Sequence, residues 1–479
     1  MSRITIRGSE CYLTDIPDYI HDFFSDRFSY TLKGIEYSQK VKDSLKYYNA
    51  VRAGNNPEKP EAGLWDGVTH LYKNGRFPIG LFPDVLDYLL THNIVPELID
   101  YRNLGEDIPF TANTSGISLR PYQNIIARKC YAAKQSSIEV STGGGKTFIA
   151  AEFIRLVGKR TLFIVPSIEL LNQTKEILSL YLQYPVSIIG PSSDDTVFVS
   201  NVVVSTWQTL ASKNWSYHKY LNSVDCLVVD EAQHLAAKEL KLIAKAVPAV
   251  YRLAMSGTLF REDGADLELT ACSGPKIAQV SYTELINQGY LVRPIINFLK
   301  FPFKDYDEYD TYQDIYKDYV VNNEARSQKI LEAAEKLLAA ERKVLIFVTH
   351  IEHGNILKKL SGFKFVHSSH PDRRTLIDSF KNGSLDCLIS TSILNEGVDI
   401  PPIDALILAS PSKSLIVTAQ RIGRSLRPFE NKEDTIVVDT YDDCKYLEAS
   451  SNRRLSFYKS QPSFVLQEDM KQKLVEEWL

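Results

Sequence analysis

Nine short apolar runs alternate with helix-like stretches from about residue 113 onward. Uniformly apolar runs between helices are typical of strands in a parallel sheet that helices cover on both faces. The runs form two consecutive series: SSIEV (136–140), TLFIVP (161–166), VVVST (202–206), CLVVD (226–230) and RLAMSG (252–257), and then KVLIFVT (343–349), DCLIST (386–391), ALILAS (405–410) and TIVVDT (435–440). The sequence therefore predicts an α/β protein with two tandem parallel sheets.

The first 112 residues lack this alternation and are richer in loops. Their strongest feature is GLWDGVTHLYKNGRFPIGLFPDVLDYLL (63–90), whose first part alternates like short strands. Turn signals stand at the Asp-Gly pair from Asp66 and the Asn-Gly pair from Asn74, and Pro83 indicates the start of a short helix. We expect a small α+β domain at this end.

A length of 479 residues predicts three domains at ~100–200 residues each. The expected divisions are a small N-terminal domain, a first α/β domain, a second α/β domain and a C-terminal tail: 1–112, 113–295, 296–445 and 446–479. Between the two sheets lies KDYDEYDTYQDIYKDY (304–319). We expect its first half to be a solvated connector and the rest to begin a helix that reaches about residue 340, a surface without function.

Composition excludes several classes of protein. Hydrophobic residues make up 44% and charged residues 24%, which excludes wholesale disorder and coiled coil. No apolar run reaches the ~18 residues of a membrane span, and the first residues lack the apolar core of a secretion signal. Six scattered cysteines without a CxxC pair fit a reducing cytoplasm and argue against a zinc site. A net charge of −4 excludes a uniformly basic binder, but it does not exclude a localised basic groove.

The sharpest chemical signal is VSTGGGKT (140–147), which follows a strand and precedes the helix-like FIAAEFIRLV (148–157). Three glycines let the backbone wrap a phosphate, and the helix N-terminus adds positive partial charge. A lysine here reaches the β- and γ-phosphates, and the next hydroxyl is a Mg²⁺ ligand. Val140 replaces the usual first glycine, and a chance glycine-rich turn is the alternative. The candidate nucleotide-binding residues are Thr142, Gly143, Gly144, Gly145, Lys146 and Thr147.

The second signal is DEAQH (230–234), at the end of the apolar strand CLVV. Ligands in α/β sheets bind at this edge, so Asp230 and Thr147 are candidate metal-binding residues. Glu231 is a candidate general base that polarises the attacking water. Two adjacent carboxylates favour a cation between them. The alternative is that Asp230 caps a helix, worth ~1 kcal/mol. His234 either couples to the γ-phosphate or lies on a helix surface.

Two weaker signals flank these motifs. LRPYQ (119–123) places Gln123, which has both a donor and an acceptor, about one helix before the phosphate loop. An amide of this kind suits an adenine edge, and a surface glutamine is the alternative. The tripeptide SGT (256–258) follows the strand RLAM and either relays movement from the phosphate or is merely a turn.

The second sheet carries QRIGRSLR (420–427). Arg424 and Arg427 lie three residues apart and are expected to share one helix face. Guanidinium groups stay charged and bind phosphate through two N–H donors, so Arg424 and Arg427 are candidate arginine fingers on the γ-phosphate. Gln420, at the start of the same motif, is a third candidate catalytic residue. The alternative is a basic helix that binds an acidic neighbour.

The segment TSILNEGVDIPP (391–402) follows the strand DCLIS of the second series. Its Gly397 and Asp399 are expected at a strand-to-helix boundary. They suit contact with a nucleotide ribose or a sugar–phosphate backbone, and we assign them to the nucleotide site.

In this order the motifs LRPYQ, STGGGKT, IVPSIELLNQ (164–173), STWQT (205–209), DEAQH, SGT, IFVTH (346–350), TSILNEGVD and QRIGRSLR resemble those of superfamily 2 helicases, over about residues 115–445. The resemblance implies two tandem RecA-like domains preceded by a small α+β domain. It also implies that ATP and Mg²⁺ bind in the cleft between the RecA-like domains. The loop at Lys146 and the carboxylates of Asp230 and Glu231 would then face Arg424 and Arg427.

Within the superfamily the chain looks like the phage UvsW-type branch, related to RecG and the XPB-like helicases. WDG followed by RFPIGL is similar to the small nucleic-acid-binding domain of that branch, although Trp65 is equally suited to a core. SGT stands where many relatives carry SAT. The resemblance implies candidate nucleic-acid contacts, with Trp207 either stacked on a base or packed in the core: Pro166, Ser167, Thr206, Trp207, Thr349, His350, Thr391 and Asn395.

The implied function is an ATP-dependent DNA helicase or translocase acting on branched DNA (forks, Holliday junctions, D-loops) by unwinding and branch migration. It would serve recombination, repair or replication in the cytoplasm of a bacterial cell or phage-infected host. The motor motifs do not separate DNA from RNA, so an RNA helicase is one alternative. A restriction-type translocase of duplex DNA and an ATP-independent binding module with a decayed motor are the others.

Overall fold

The structure is a computed structural model. It describes residues 1–32, 34–35, 38–52, 58–60, 64–110, 116–190, 200–212, 217–258, 266–306, 311–391, 403–412 and 414–467. Internal contacts divide the chain into two compact units, Met1–Val140 with Gly145–Gln279 and Ser141–Gly144 with Val280–Leu479. The domain boundaries expected from the sequence stay predictions. None of the described helices has the length and apolar character needed to cross a membrane.

The N-terminal part of the first unit is a small α+β region. Its elements are β1 (Arg3–Arg7), β2 (Glu10–Thr14), α1 (Asp18–Arg27), β3 (Ser29–Thr31), α2 (Gln39–Arg52), β4 (Val68–His70), β5 (Arg76–Pro78), a 3-10 helix (Ile79–Leu81), α3 (Phe82–Thr91) and β6 (Glu97–Asp100). The strands form a four-stranded sheet in the order β5-β2-β1-β6 and a separate β3-β4 pair. The structure therefore confirms a small α+β region before the first large sheet.

Alternation along β1 and β2 builds the core of this region. Ile4 and Ile6 of β1 and Cys11 and Leu13 of β2 are buried, whereas the residues between them lie at or near the surface. A strand with one buried face requires this period of two. The predicted turn at Asn74 is present, with left-handed backbone at that residue and at the following glycine.

Specific contacts fix the N-terminal region to the first α/β region. Tyr30 donates a hydrogen bond from its hydroxyl to the buried carboxylate of Glu268 (2.6 Å), which also pairs with Lys241 (2.7 Å). A Cβ atom on Gly80 would collide with the backbone carbonyl of Thr270, so only glycine permits this approach. The two regions therefore share one compact unit.

The first α/β region follows. Its elements are α4 (Pro121–Ala133), β7 (Gln135–Val140), α5 (Lys146–Val157), β8 (Thr161–Val165), α6 (Ile168–Leu182), β9 (Ser187–Ile189), β10 (Val202–Thr206), α7 (Trp207–Ser212), α8 (His218–Leu221), β11 (Cys226–Asp230), a 3-10 helix (Ala232–Ala236), α9 (Lys238–Ala246), β12 (Tyr251–Ser256), α10 (Asp266–Ser273) and β13 (Lys276–Val280). The sheet order is β13-β7-β12-β11-β8-β10-β9. Neighbouring strands from β7 to β9 pair in parallel, so their carboxyl ends meet at one edge.

The second α/β region has the same construction. Its elements are α11 (Tyr282–Asn287), β14 (Arg293–Lys304), α12 (Tyr312–Tyr316), a π-helix (Lys317–Val321), α13 (Glu324–Ala339), β15 (Val344–Phe347), α14 (Ile351–Ser361), β16 (Lys364–Val366), α15 (Arg373–Lys381), β17 (Cys387–Ser390), β18 (Ala405–Leu408), α16 (Leu415–Ser425), β19 (Asp434–Cys444), α17 (Glu448–Lys459) and β20 (Val465–Leu466). The order β16-β17-β15-β18-β19-β14-β20 is parallel throughout. Two tandem parallel sheets are confirmed, and all nine predicted runs lie on strands.

The segment 304–319 differs from its prediction. Helical residues do extend toward residue 340, but as α12 and the π-helix followed by a separate helix, α13, which is capped by Asn323 and ends at Ala339. The preceding residues are not a bare surface, because Ile315, Tyr316 and Tyr319 are buried in the core of the second sheet. Their aromatic rings supply apolar area that the count of acidic residues in the segment concealed.

The predicted tail is part of the second α/β region as far as it is described. Arg454 of α17 donates from Nε to the carboxylate of Asp439 on β19 (2.8 Å), and both side chains are buried. Tyr458 donates its hydroxyl to the same carboxylate (2.7 Å). Because a buried charge requires a partner, this network fixes α17 to the sheet.

Candidate nucleotide and catalytic site

The predicted phosphate loop lies between β7 and α5, at the carboxyl edge of the first sheet. The helix begins at Lys146, and Gly145 precedes it with left-handed backbone (φ 76°, ψ 43°). A Cβ atom at Gly145 would collide with the side-chain amide of Gln123. The left-handed backbone therefore favours glycine here, and a side chain would also have to displace the amide of Gln123. Thr142 and Thr147 lie on either side of the glycines and are half-buried.

Lys146 and the DEAQH carboxylates are brought together. The Nζ atom of Lys146 lies 3.6 Å from Oε1 of Glu231, and both side chains are largely buried. Asp230 ends β11 and is buried beside them, with one carboxylate oxygen accepting the backbone N–H of Glu231 (2.9 Å). Sequence positions ~85 apart thus form one cluster of a cation and two carboxylates, as the α/β pattern predicts.

Burial affects the protonation of Asp230 in this cluster. Removal from water raises the pKa of Asp230, and the neighbouring carboxylate of Glu231 raises it further, whereas Lys146 acts in the opposite direction. Glu231 has left-handed backbone (φ 49°), which is uncommon for a residue with a side chain and is typical of strained functional positions.

A hydrogen-bonded chain leads from this cluster to the SGT motif. The side-chain amide of Gln233 donates to Oε2 of Glu231 (2.9 Å), and its carbonyl accepts the hydroxyl of Ser256 (2.5 Å). Ser256 also accepts the backbone N–H of Thr258 (3.0 Å). Gln233 was not among the predicted site residues, although an amide two residues after Glu231 was the available signal. His234 is exposed on the 3-10 helix.

Gln123 is not a surface residue. Its side chain is buried at the start of α4, where the carbonyl oxygen accepts the backbone N–H of Arg120 (2.9 Å). The surface alternative is therefore wrong, and the amide is held against the loop at Gly145.

Two candidate nucleic-acid segments lie at the carboxyl ends of β8 and β10. Ser167 caps α6 by accepting the backbone N–H of Leu170 (3.3 Å), and Pro166 accepts a hydrogen bond from Gln208 (3.1 Å). Thr206 is buried, and its hydroxyl is hydrogen-bonded with that of Thr209. Trp207 begins α7 and packs, partly buried, against the core of the first sheet.

Only some of the candidate residues of the second α/β region lie among the described residues. Thr349 and His350 are exposed after β15, and the His350 ring lies 5.0 Å from that of Tyr316. Thr391 is buried at the end of β17 and donates its backbone N–H to Val366 (3.3 Å). Three further candidates lie outside the described residues: Asn395, Gly397 and Asp399.

The arginine segment corrects one expectation. Helix α16 carries Gln420 and Arg424 but ends at Ser425, so Arg427 follows the helix and does not share a helix face with Arg424. Burial lowers the pKa of Arg427. Arg421 was not predicted to have a role. It is buried with its guanidinium carbon 5.0 Å from the centre of the Phe347 ring, and burial lowers its pKa to about 10.

Comparison with known families agrees with this arrangement. Residues 116–261 match the family described as type III restriction enzyme, res subunit, and residues 328–428 match the helicase conserved C-terminal domain. The chain is therefore similar to helicases in both of its α/β regions. Helicases use ATP, typically with Mg²⁺, and the matches support ATP-dependent DNA helicase activity.

Particular relatives are distant. The DNA 3'-5' translocase XPB2 of Sulfurisphaera tokodaii is 23% identical over 407 residues, which cover 76% of this chain and 90% of that protein. This chain spans about half the length of two further curated relatives, 55% of one and 51% of the other.

Solved structures are similar in fold. The DNA-bound DUF1998 helicase MrfA has a TM-score of 0.55 and 14% identity, over 76% of this chain and 52% of that one. The crystal structure of T4 UvsW is 19% identical, with a TM-score of 0.44 over 97% of this chain and 98% of that one.

Proposed function

We propose that this chain is an ATP-dependent DNA helicase or translocase of the UvsW-type branch that acts on branched DNA, such as forks, Holliday junctions and D-loops. The observation that supports it best is the continuous contact from Lys146 through Glu231 and Gln233 to Ser256. It links the lysine at the start of α5, the candidate base and the SGT motif in one compact unit. In a motor that has lost ATP hydrolysis, we expect these buried hydrogen bonds to be lost as well.

In this proposal, the residues at the start of α5 hold the ATP phosphates. The glycine-rich turn presents backbone N–H groups, Lys146 reaches the β- and γ-phosphates, and Gln123 borders the adenine. Glu231 takes the proton of the water that attacks the γ-phosphate, and Gln233 orients its carboxylate. Arg424 and Arg427 offset the charge that develops on the γ-phosphate.

The donor set fits Mg²⁺. Asp230 presents a buried carboxylate beside a second one, and Thr147 presents a hydroxyl, which are the hard oxygen ligands that this ion prefers. Asp230 and Thr147 would hold the ion, which would neutralise phosphate charge.

We expect the DNA to move because the two α/β regions bind the strand alternately as ATP is bound and hydrolysed. One strand would lie across both α/β regions and contact phosphate oxygens through hydroxyls and backbone N–H groups, which carry no sequence information. The candidate contacts are Pro166, Ser167, Thr206, Thr349, His350, Thr391 and Asn395. Trp207 is better suited to packing than to stacking on a base, because it already contacts the core. Binding of ATP would draw the two regions together, and hydrolysis would release them.

Helix α2 supports a second DNA contact in the N-terminal region. It carries four cationic side chains exposed on its surface against one acidic residue: Lys40, Lys42, Lys46 and Arg52. Tyr48 is exposed between them, at 44% of its full area. Basic residues interleaved with an aromatic ring suit a nucleic-acid backbone with its bases. Trp65 lies beside this helix: the centre of its ring is 5.9 Å from the ammonium of Lys40, and its indole N–H donates to the backbone carbonyl of Val68 (2.7 Å).

A substrate panel tests the proposal. Fork, Holliday junction, 3′- and 5′-tailed duplex and RNA duplex are compared for strand separation and for stimulation of ATP hydrolysis with Mg²⁺. Preference for the fork and junction supports it, whereas equal or greater stimulation by RNA favours an RNA helicase. Lys146→Ala should abolish hydrolysis. Glu231→Gln should bind ATP but stall, and normal turnover by Glu231→Gln would remove its assignment as base.

The match of residues 116–261 to a restriction-enzyme family favours one rival, a duplex translocase that does not separate strands. Displacement of a triplex-forming strand without any unwinding of forks would favour this rival over the branched-DNA proposal.

A further inference from the structure

The ammonium of Lys432 donates hydrogen bonds to three backbone carbonyls in two segments of the second α/β region. It is buried in the turn before β19 and donates to the carbonyl oxygens of Ile403 (2.6 Å), Ser425 and Arg427 (3.3 Å). Its Nζ atom also lies 4.9 Å from the centre of the Phe429 ring. An ammonium has three N–H donors, and each has a carbonyl here.

Two of these carbonyls frame the end of α16. Ser425 is the last residue of the helix, and its carbonyl also accepts the hydroxyl of Thr435 (2.8 Å). Arg427 follows two residues later, after Leu426, whose backbone N–H donates to the carbonyl of Ile422 (3.2 Å). A cation at a helix C-terminus is favourable for the dipole as well as for the carbonyls. Lys432, together with the backbone N–H of Val292 on the carbonyl of Leu426 (2.9 Å), therefore holds the chain at this turn.

We propose that Lys432 is a positioning residue that holds the backbone of Arg427 so that its guanidinium meets the γ-phosphate. The inference rests on the proposed function, because it assumes that Arg427 acts on ATP. Among the described residues, the ammonium of Lys432 contacts the three backbone carbonyls and the ring of Phe429. It acts through the arginine and does not contact the nucleotide.

The same geometry makes the contact sensitive to pH. Burial lowers the pKa of Lys432 to about 8, against the attraction of Asp404 and Asp434, while Arg342 lowers it slightly. Asp434 is itself paired with Arg342 (2.9 Å). Above this pH the amine is neutral and keeps two N–H donors for three carbonyls. The grip on Arg427 should therefore weaken as pH rises through about 8.

The test compares Lys432→Met with Thr435→Val in the full chain. Thr435 donates its hydroxyl to the carbonyl of Ser425, which Lys432 also contacts. Thr435→Val therefore removes one hydrogen bond at the end of α16 and leaves the contact of Lys432 with Arg427 in place. We expect Lys432→Met to lower kcat for ATP by about tenfold or more, with KM changed less than about twofold, because an arginine finger acts in the transition state. Thr435→Val should keep kcat within about threefold. An equal loss in both variants would overturn the inference.

The pH profile supplies a readout that a merely structural role does not move. In the unaltered protein kcat should fall as pH rises through about 8, and Lys432→Met should lack this step. If Lys432→Met fails to fold, the unaltered protein alone decides. A kcat that stays constant from pH 7 to about 9.5 would overturn the inference.

A double variant separates this inference from the proposed function. Arg427→Ala should lower kcat by about 10³. Adding Lys432→Met should lower it no further than about twofold, because the lysine acts through the arginine. Normal hydrolysis by Arg427→Ala would remove the assignment of Arg427. A slow Arg427→Ala with a normal Lys432→Met would remove the positioning role alone.

Discussion

Replacing Gln233 by methionine should slow ATP hydrolysis without weakening ATP binding. The side chain is 6% exposed and makes two side-chain hydrogen bonds, to Oε2 of Glu231 (2.9 Å) and to the hydroxyl of Ser256 (2.5 Å). Methionine has nearly the same shape but neither donates nor accepts strongly. Glu231 then keeps Lys146 as a partner but loses the group that fixes the plane of its carboxylate.

The magnitude follows from these contacts. The bond to a charged carboxylate contributes about 1.5–3 kcal/mol and the bond to a hydroxyl about 0.5–1.5 kcal/mol, but Glu231 and Ser256 keep other partners. We expect a loss of unfolding free energy of about 1–2 kcal/mol. A base displaced by about 1 Å costs about 10²-fold in rate, so kcat should fall about 10- to 100-fold. The loss should stay below that of Glu231→Gln, which removes the base itself.

The assay measures steady-state ATP hydrolysis with saturating fork DNA, together with nucleotide binding and thermal unfolding. Gln288→Met is the matched control, since Gln288 is exposed at the end of α11. It should change neither kcat nor stability. A Gln233→Met protein with normal kcat, or one in which KM rises while kcat is kept, would refute the orienting role.

Three other results are expected. Gly145→Ala should abolish nucleotide binding in an equilibrium titration, because its Cβ atom collides with the amide of Gln123 and its backbone is left-handed. Arg454→Met should lower the free energy of unfolding by about 3–5 kcal/mol in chemical denaturation, because it leaves the buried Asp439 without its ion pair. Neutralising the three lysines of α2 with glutamine should reduce the slope of log affinity against log salt by up to about 0.9 per lysine in fork binding, with hydrolysis in the absence of DNA unchanged.

The strands of both sheets could be predicted because most of them are buried on both faces. VVVST and CLVVD have no polar side, and both lie fully buried in the first sheet. The missed strands are the exceptions. β14, RPIINFLKFPFK, contains two prolines and polar residues, and it is buried only in part. β9, β16 and β20 have three residues or fewer, too short for a periodic pattern. β13, KIAQV, lies at the sheet edge and is buried only at its last residue.

The candidate site was predictable where one motif carries its own chemistry. Lys146 and Glu231 come together because both follow strands of one parallel sheet. Gln233 and Lys432 were missed because their roles depend on partners that only the fold supplies, Ser256 in one case and three backbone carbonyls in the other. Arg427 was placed on a helix from spacing alone, and spacing does not show where a helix ends.

The attachment of the N-terminal region bears on how the proposed motor would use a duplex. Tyr30 reaches Glu268 on α10, and Ser9 donates to the backbone carbonyl of Lys245 at the end of α9 (2.5 Å). Both helices pack with the 3-10 helix that follows Glu231. A duplex held by α2 would therefore move with the region that carries the carboxylates. Force on the DNA would reach the site of hydrolysis through these packed helices.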